Sequence, residues 1–386
     1  MIVENHTPEW GPGNFWTVDS EPDFVIGGPV RPNDVSADSS HLVWSIIGVA
    51  PLSDGRVALL SAAEKRVLLF EPSGIFSVSI GREGRGPGEF SDPEHLEVRS
   101  GDTIVVWDSY FGRVDYFDAA GTLLKERTID LGAVVAATRT NAQRSPESVH
   151  RPLPDGSFLV KVHRNHWEPP REGELYRQPV KYVRIDSAYS THSFGWWDGR
   201  EYLSLPDPAP WVVPFPAASA VAAGGSPFTV YVTNGDYYQV HQFSAAGSLR
   251  RLFRRSHDPK AITRREVEEW KKANTELSPW VDWTDWDRAI AALPARRFHP
   301  PILGLHVDTE GYLWVADRIT LSHGDWSVFS EEGRWLGTVR LPVGLISWIG
   351  EDLVIGIRLD FDLGYEVIEG YSLNRSAGTI RAKSFR

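Results

Sequence analysis

At 386 residues the chain exceeds the usual single-domain length, and its 41% hydrophobic and 24% charged residues are those of a folded globular protein. The 51 acidic against 40 basic residues, a net charge of −11, work against general nucleic-acid binding, which rests on neutralising phosphates. The absence of cysteine excludes disulfides, thiolate metal sites and cysteine nucleophiles.

The opening MIVENHTPEWGPGNFW has neither a basic n-region nor an apolar h-region, so no export signal is expected in it. No stretch approaches the roughly 18 apolar residues that span a bilayer, and direct membrane insertion is not expected. Phe24-Val-Ile26 reads as a short isolated strand.

From Val43 onward the chain repeats. Arg66-Val-Leu-Leu-Phe70 with Gly74 and Arg113-Val-Asp-Tyr-Phe117 with Gly121 match at an offset of 47. Each is a strand ending in Phe, followed by a turn whose glycine takes the positive φ that such turns need. The same ending recurs at Phe243/Gly247 and Phe329/Gly333. The preceding strands recur too: Ile104–Asp108, Val230–Asn234 and Leu313–Asp317, each behind a turn such as Asp54-Gly55, Gly101-Asp102 or Glu310-Gly311. A period of about 40 to 50 residues holding about four strands is the signature of a propeller blade. Six blades follow, near 41–81, 93–128, 148–195, 212–255, 300–340 and 343–375. The last lacks a strand, which the segment near 24–26 is expected to supply, closing the ring and removing an open sheet edge.

Between the first two blades lies GREGRGPGEFSDPEHL (81–96), a glycine-rich run that invites a phosphate-loop reading. A P-loop requires Lys-Ser/Thr after its glycines and then a helix; here Gly88 is followed by Glu89-Phe90 and a strand, and Pro87 removes a backbone donor. The run is expected to be a joint between blades. With the strands after it (IVVWD, then RVDYFDAAG) it resembles an NHL-type repeat. It resembles more closely a large group of bacterial six-bladed propeller proteins, often exported, that carry a GxGPGEF-like connector. PILGLHVDTEGYLWVAD (301–317) fits the same pattern. The resemblance spans about Val43 to Leu373 and implies a fold; the group shares no single activity.

Two stretches depart from the repeat. One, in the third blade, is HRNHWEPPREGELYRQP (163–179), with Phe194-Gly-Trp196-Trp197 after it. The other, about 256–299, opens on a capping box, Thr263-Arg-Arg-Glu266, and an apolar stripe of Ile262, Val267 and Trp270. It continues as SPWVDWTDWDRAIAALP with Trp280, Trp283 and Trp286 spaced by three, so a small helical cap between blades 4 and 5 is expected. Eight of the sixteen tryptophans fall between Trp167 and Trp286. Trp196, Trp197, Trp280, Trp283 and Trp286 are therefore candidates for a ligand- or partner-binding surface, the competing reading being that they pack the insertions onto the blades.

Histidines raise a metal hypothesis. His95 and His150 each stand six residues before a turn glycine, which suggests equivalent inner-strand positions in neighbouring blades. Some NHL-type enzymes hold zinc with histidines from successive blades, and propeller lactonases hold calcium through Glu and Asn/Asp oxygens. By that resemblance His95, His150, Glu97, Asn234 and Asp236 are candidate ligands. Zinc needs three or four donors, whereas two equivalent histidines are present, so no cofactor is expected. The arginine cluster 250–255 reads as a solvated face. The expectation is thus an all-β, single-domain, six-bladed propeller of four-stranded blades. Its expected role is non-enzymatic, as a binding or scaffolding module for a protein partner or small-molecule ligand. In one version it is an extracytoplasmic subunit of a larger membrane-associated assembly. The alternative is a metal-dependent hydrolase or lyase working in the central channel through His95, His150 and nearby carboxylates.

Overall fold

A computed structural model describes residues 1–11, 15–28, 43–138, 148–153, 155–164, 171–204, 211–277, 290–291, 293–294, 297–360 and 365–375. Three short strands come first: β1 (Ile2–Asn5), β2 (Thr17–Val18) and β3 (Phe24–Ile26). Blade 1 is β4 (Ile46–Pro51), β5 (Val57–Ser61), β6 (Arg66–Phe70) and β7 (Phe76–Ile80). Blade 2 is β8 (Pro93–Arg99), β9 (Thr103–Asp108), β10 (Arg113–Phe117) and β11 (Leu123–Thr128), followed by helix α1 (Leu131–Thr138). Blade 3 has five strands: β12 (Ser148–Pro152), β13 (Phe158–His163), β14 (Leu175–Ile185), β15 (Thr191–Leu203) and β16 (Trp211–Val212). Blade 4 is β17 (Ala220–Gly224), β18 (Thr229–Thr233), β19 (Gln239–Ser244) and β20 (Leu249–Arg255), with helix α2 (Arg264–Leu277) after it. Blade 5 is β21 (Gly304–Val307), β22 (Leu313–Ile319), β23 (Gly324–Phe329) and β24 (Trp335–Leu341). Blade 6 is β25 (Leu345–Ile349), β26 (Leu353–Asp360) and β27 (Tyr365–Asn374). These six sheets make a six-bladed β-propeller.

The first strands meet around the axis: β25 touches β4, β4 touches β8, and β17 touches β21. Antiparallel order then sorts the connections. Turns between first and second, and between third and fourth, strands lie at one end, the turn face. Turns between second and third strands, and the links from blade to blade, lie at the other end, the connector face.

Both faces of each blade are covered by neighbouring blades, so the strands read as nearly continuous apolar runs; every residue of β5 and β18 is buried. The core is divided among six seams. Leu60, Leu69, Leu96 and Val106 fill the seam between blades 1 and 2. Trp107, Val160 and Val183 fill the next. Phe194 and Val230 follow between blades 3 and 4, and Tyr231, Phe253 and Phe329 between blades 4 and 5. Trp314, Trp326 and Val354 join blades 5 and 6, and Leu59, Phe70 and Ile355 close the ring.

β3 pairs antiparallel with β27, Ile26 opposite Ile368, and β2 pairs with the far end of the same strand. The segment does more than complete blade 6. β1 lies parallel on β20 of blade 4, and the amides of Glu9 and Trp10 donate to the carbonyls of Trp335 and Leu336 in blade 5. The N-terminal residues therefore form a strap across the outer edges of three consecutive blades. Asn5 is its rivet: Nδ2 donates to the carbonyls of Arg254 and Gly333, each at 3.0 Å, and Oδ1 accepts from the Trp335 amide at 2.9 Å. Asn5→Ala leaves these buried groups unmatched and should cost about 2–3 kcal/mol. The check is the guanidinium midpoint of the variant against that of Asn5→Gln.

Candidate functional site: the connector face

The run 81–96 sits on the connector face as a joint. Phe90 is fully buried between blades 1 and 2, edge-on to Phe117 with centroids 6.0 Å apart. Gly81 lies flat against the Phe90 ring where a Cβ would collide with it. The loop's backbone donors do converge on an anion, but the anion is internal. Glu89 Oε2 accepts from the Gly86 amide at 2.7 Å and Oε1 from Arg82 Nε at 2.8 Å. The Gly86 amide and Arg82 hold this carboxyl below the usual carboxylate range. Its oxygen also takes the space a Cβ on Gly84 would need. The place a phosphate would occupy is filled by the chain's own glutamate.

Beneath the joint, Arg113 donates Nη2 to the Glu89 carbonyl and Nε to Asp115 Oδ2 at 3.0 Å, while its guanidinium covers the Phe111 ring. Asp115 is wholly buried and its Oδ1 has no hydrogen-bond partner. Burial pushes its carboxyl up to about 6, against the pull of Arg113.

Blade 3 builds the second feature of this face. β14 and β15 pair from Leu175 and Leu203 onward, whereas β13 ends opposite Val180, so the hairpin base projects past the blade. Leu175, Leu203, Val213 and Leu293 form a small core there. Arg297 pins it, donating Nη1 to the Pro214 carbonyl at 2.9 Å and Nη2 to Glu201 at 2.6 Å. α2 begins at the expected capping box: the Glu266 amide donates to Thr263 Oγ1 at 3.2 Å and the Thr263 amide to Glu266 Oε2 at 2.8 Å. The Thr263 amide, then the Thr263 hydroxyl, Lys260 and His299, hold the Glu266 carboxyl down to about 2. The connector between blades 4 and 5 is thus a helical cap that is joined through Arg297 to the projecting base of blade 3.

The residues singled out by sequence are dispersed. Asn234 and Asp236 do meet, but as a clasp between blades 3 and 4. Asn234 Oδ1 accepts from the Asp198 amide at 3.0 Å, its Nδ2 donates to Asp198 Oδ2 at 3.1 Å, and Asp236 lies 3.6 Å from Arg177. Glu97 stays in blade 2, paired with Arg99 at 3.1 Å. His95 stands opposite Trp107, but His150 falls in a β-bulge between Val149 and Arg151. Ser148, opposite Lys161, occupies the register of His95. The two histidines are therefore not equivalent. Gly101 and Asp102 both have positive φ, and it is Asp102 that stands in register with Gly55 and Gly156, which shifts a count made from the glycines by one. Among the described residues, no three His, Asp or Glu side chains are grouped to hold a metal ion. Trp197 is packed between blades 3 and 4, its ring 4.8 Å from that of His241, and Trp196 is exposed on the outer side of blade 3. Trp280, Trp283 and Trp286 lie outside the described residues.

A different feature emerges on the connector face, one that the repeat pattern does not signal. Of the sixteen exposed large apolar residues among those described, Trp44, Ile47, Tyr110, Tyr237, Phe298, Leu303, Leu321 and Leu345 belong to the connector face. They come from the entries of β4, β21 and β25, from the second-to-third turns of blades 2, 4 and 5, and from the cap. Charged pairs share the face at blade 1 and the joint after it, Lys65–Glu83 and Arg82–Glu89, 2.6 and 2.7 Å apart. Exposed aromatic and aliphatic side chains sharing a face with solvated charge pairs are the composition of a protein-docking surface.

A family model described as a six-bladed β-propeller matches residues 39–143, the first two blades. No curated protein matches the sequence. Among solved structures, an exported protein of Bacteroides fragilis is 14% identical, with 97% of this chain and 99% of that chain covered and a TM-score of 0.45. A virginiamycin B lyase from Staphylococcus aureus with quinupristin is 10% identical over 91% and 98% of the two chains, TM-score 0.41. A gluconolactonase from Xanthomonas campestris is 12% identical over 90% and 97%, TM-score 0.41. At this distance neither activity nor ligand carries over to this chain.

Proposed function

We propose that this propeller is a non-catalytic binding module that receives a protein partner on its connector face. The observation behind the reading is that half of the exposed large apolar residues among those described lie on one end of the propeller, on strand entries and short turns. Aromatic anchors such as Trp44, Tyr110 and Tyr237 offer large contact area at low entropic cost. The fuller version, a subunit outside the cytoplasm attached to a membrane-bound assembly, rests only on the exported habit of the proteins the repeat resembles. The alternative reading, a channel hydrolase or lyase, draws no support from the placement of His95, Glu97, Asn234 and Asp236.

The test is site-specific photo-crosslinking in cells of the source organism, with a benzophenone side chain at position 110 or 237. Leu124 and Leu249, exposed on outer strands away from this face, serve as controls. A discrete adduct from the first pair and none from the controls is the expected result. Adducts of equal yield at all four positions, or at none, would sink the proposal.

A further inference from the structure

Sheet edges expose unpaired backbone donors and acceptors, and folded chains normally cover or charge them. Here the N-terminal strap covers the edges of blades 4, 5 and 6. In blade 3, β16 pairs with the end of β15, and the Glu201 amide and Asp198 carbonyl bond to Ala217 and Ser219. In blade 2 the edge strand β11 pairs only with β10 among the described residues, and it carries Lys125-Glu126-Arg127. Blade 1 differs. β7 reads FSVSI and pairs only with β6 among the described residues. It has no charge, no proline and no glycine; Ser77 and Ser79 are exposed, Phe76 and Val78 half-buried. At the corner of this blade the Val25 carbonyl sits over Gly74, and Val25 and Ile75 are exposed.

From this contrast we infer that β7 is a self-association edge, two copies of the chain pairing antiparallel through Phe76–Ile80 about a twofold axis. The choice of occupant follows from charge. A twofold antiparallel pair sets a strand against its own sequence, so any edge must tolerate its own charges reversed. β11 fails that test, because Glu126 would face Glu126 and Lys125 would face Arg127. β7 passes it: small neutral serines meet serines, with hydroxyls able to bond across the pair, and nothing resists close approach. The contact is short, so it falls below the roughly 1,000 Å² of a stable interface and the dimer is weak, with a Kd of roughly 0.1–1 mM.

Sedimentation equilibrium of the full chain from about 10 μM to about 1 mM brackets that range. The weight-average mass should climb from 43.2 kDa toward twice that value. Ser79→Lys, on an exposed site, should abolish the climb while leaving the thermal melt in place, and Ser79→Thr should retain it. Independently, the amides of residues 76–80 in the native chain should exchange more slowly at the high than at the low concentration. A chain that stays monomeric throughout overturns the inference. So does a dimer that persists in Ser79→Lys or leaves the β7 amides unprotected.

Discussion

Phe90→Ala is expected to lower stability by about 3–5 kcal/mol, the range for deleting a large buried aromatic side chain. Its ring is fully buried in the seam of Leu60, Leu69, Leu96 and Val106, and Gly81 is shaped to it from below. Collapse onto the cavity is hindered because the walls are strands of two different blades, held by their own ladders. The joint loses its anchor as well as its packing, since Phe90 is the point where the connector enters the core. Phe90→Leu should cost less than about 2 kcal/mol, since most of the volume and all of the apolar character are kept. Glu89→Ala should cost less than Phe90→Ala, because it empties a solvent-facing loop and not a seam. Guanidinium unfolding followed by tryptophan fluorescence checks the order. Equal losses for Phe90→Ala and Glu89→Ala would mean that the loop, and not the plug, holds blades 1 and 2 together.

The repeat made the architecture readable because each blade must solve the same local problem. The Phe-x3-Gly ending appears where the third strand turns into the fourth in blades 1, 2, 4 and 5, and Phe70, Phe117, Phe243 and Phe329 are all buried in seams; blade 3 has Ile185 and Tyr189 at the same places. The closing strand at Phe24–Ile26 could be anticipated for a similar reason, since blade 6 was one strand short. β1 could not. IVEN has no hairpin partner in sequence and acquires its strand geometry only from the edge of blade 4, far along the chain. α1 also escaped notice: Asp130 caps it, Oδ1 accepting from the Ala133 amide at 2.9 Å, but eight residues, mostly apolar, mimic a strand.

The candidate site was less legible, and for a physical reason. Side chains such as Tyr110, Tyr237 and Leu321 lie on turns, where the repeat tolerates almost anything, so their shared placement becomes visible only once the ring is closed. The histidine pair failed in the opposite way. A bulge inserts one residue without leaving a mark in the hydrophobic pattern, and it moved His150 out of the register of His95. The glycine run 81–96 held its own answer in Glu89, four residues before β8, but a carboxylate there signals a filled nest only when the loop geometry is known.

The second large effect concerns Arg113 and Asp115, and it depends on pH in a way that separates burial from pairing. Asp115 has its carboxyl raised to about 6 by burial, above its ordinary 3.8. Between about pH 4 and 6 the folded chain therefore holds a proton that the unfolded chain has lost, and stability falls as pH rises through that window. The penalty is absent below about pH 4 and complete above about pH 6, on the order of 2–3 kcal/mol. Asp115→Asn should remove that slope relative to wild type. Arg113→Met takes away the one cation that offsets the buried carboxylate, and at pH 8 it should cost about 3–5 kcal/mol. At pH 5 the same substitution should cost about half as much or less, because Asp115 is already largely protonated and what is lost is the bond to the Glu89 carbonyl, the packing on Phe111 and the half-exposed pair with Glu126 at 3.5 Å. Adding Asp115→Asn to Arg113→Met should recover much of the loss at pH 8 and little at pH 5, a coupling that a double-mutant cycle at the two pH values measures directly. A cost for Arg113→Met that is the same at both values would show that Arg113 acts on the joint through the Glu89 carbonyl alone, with Asp115 a bystander.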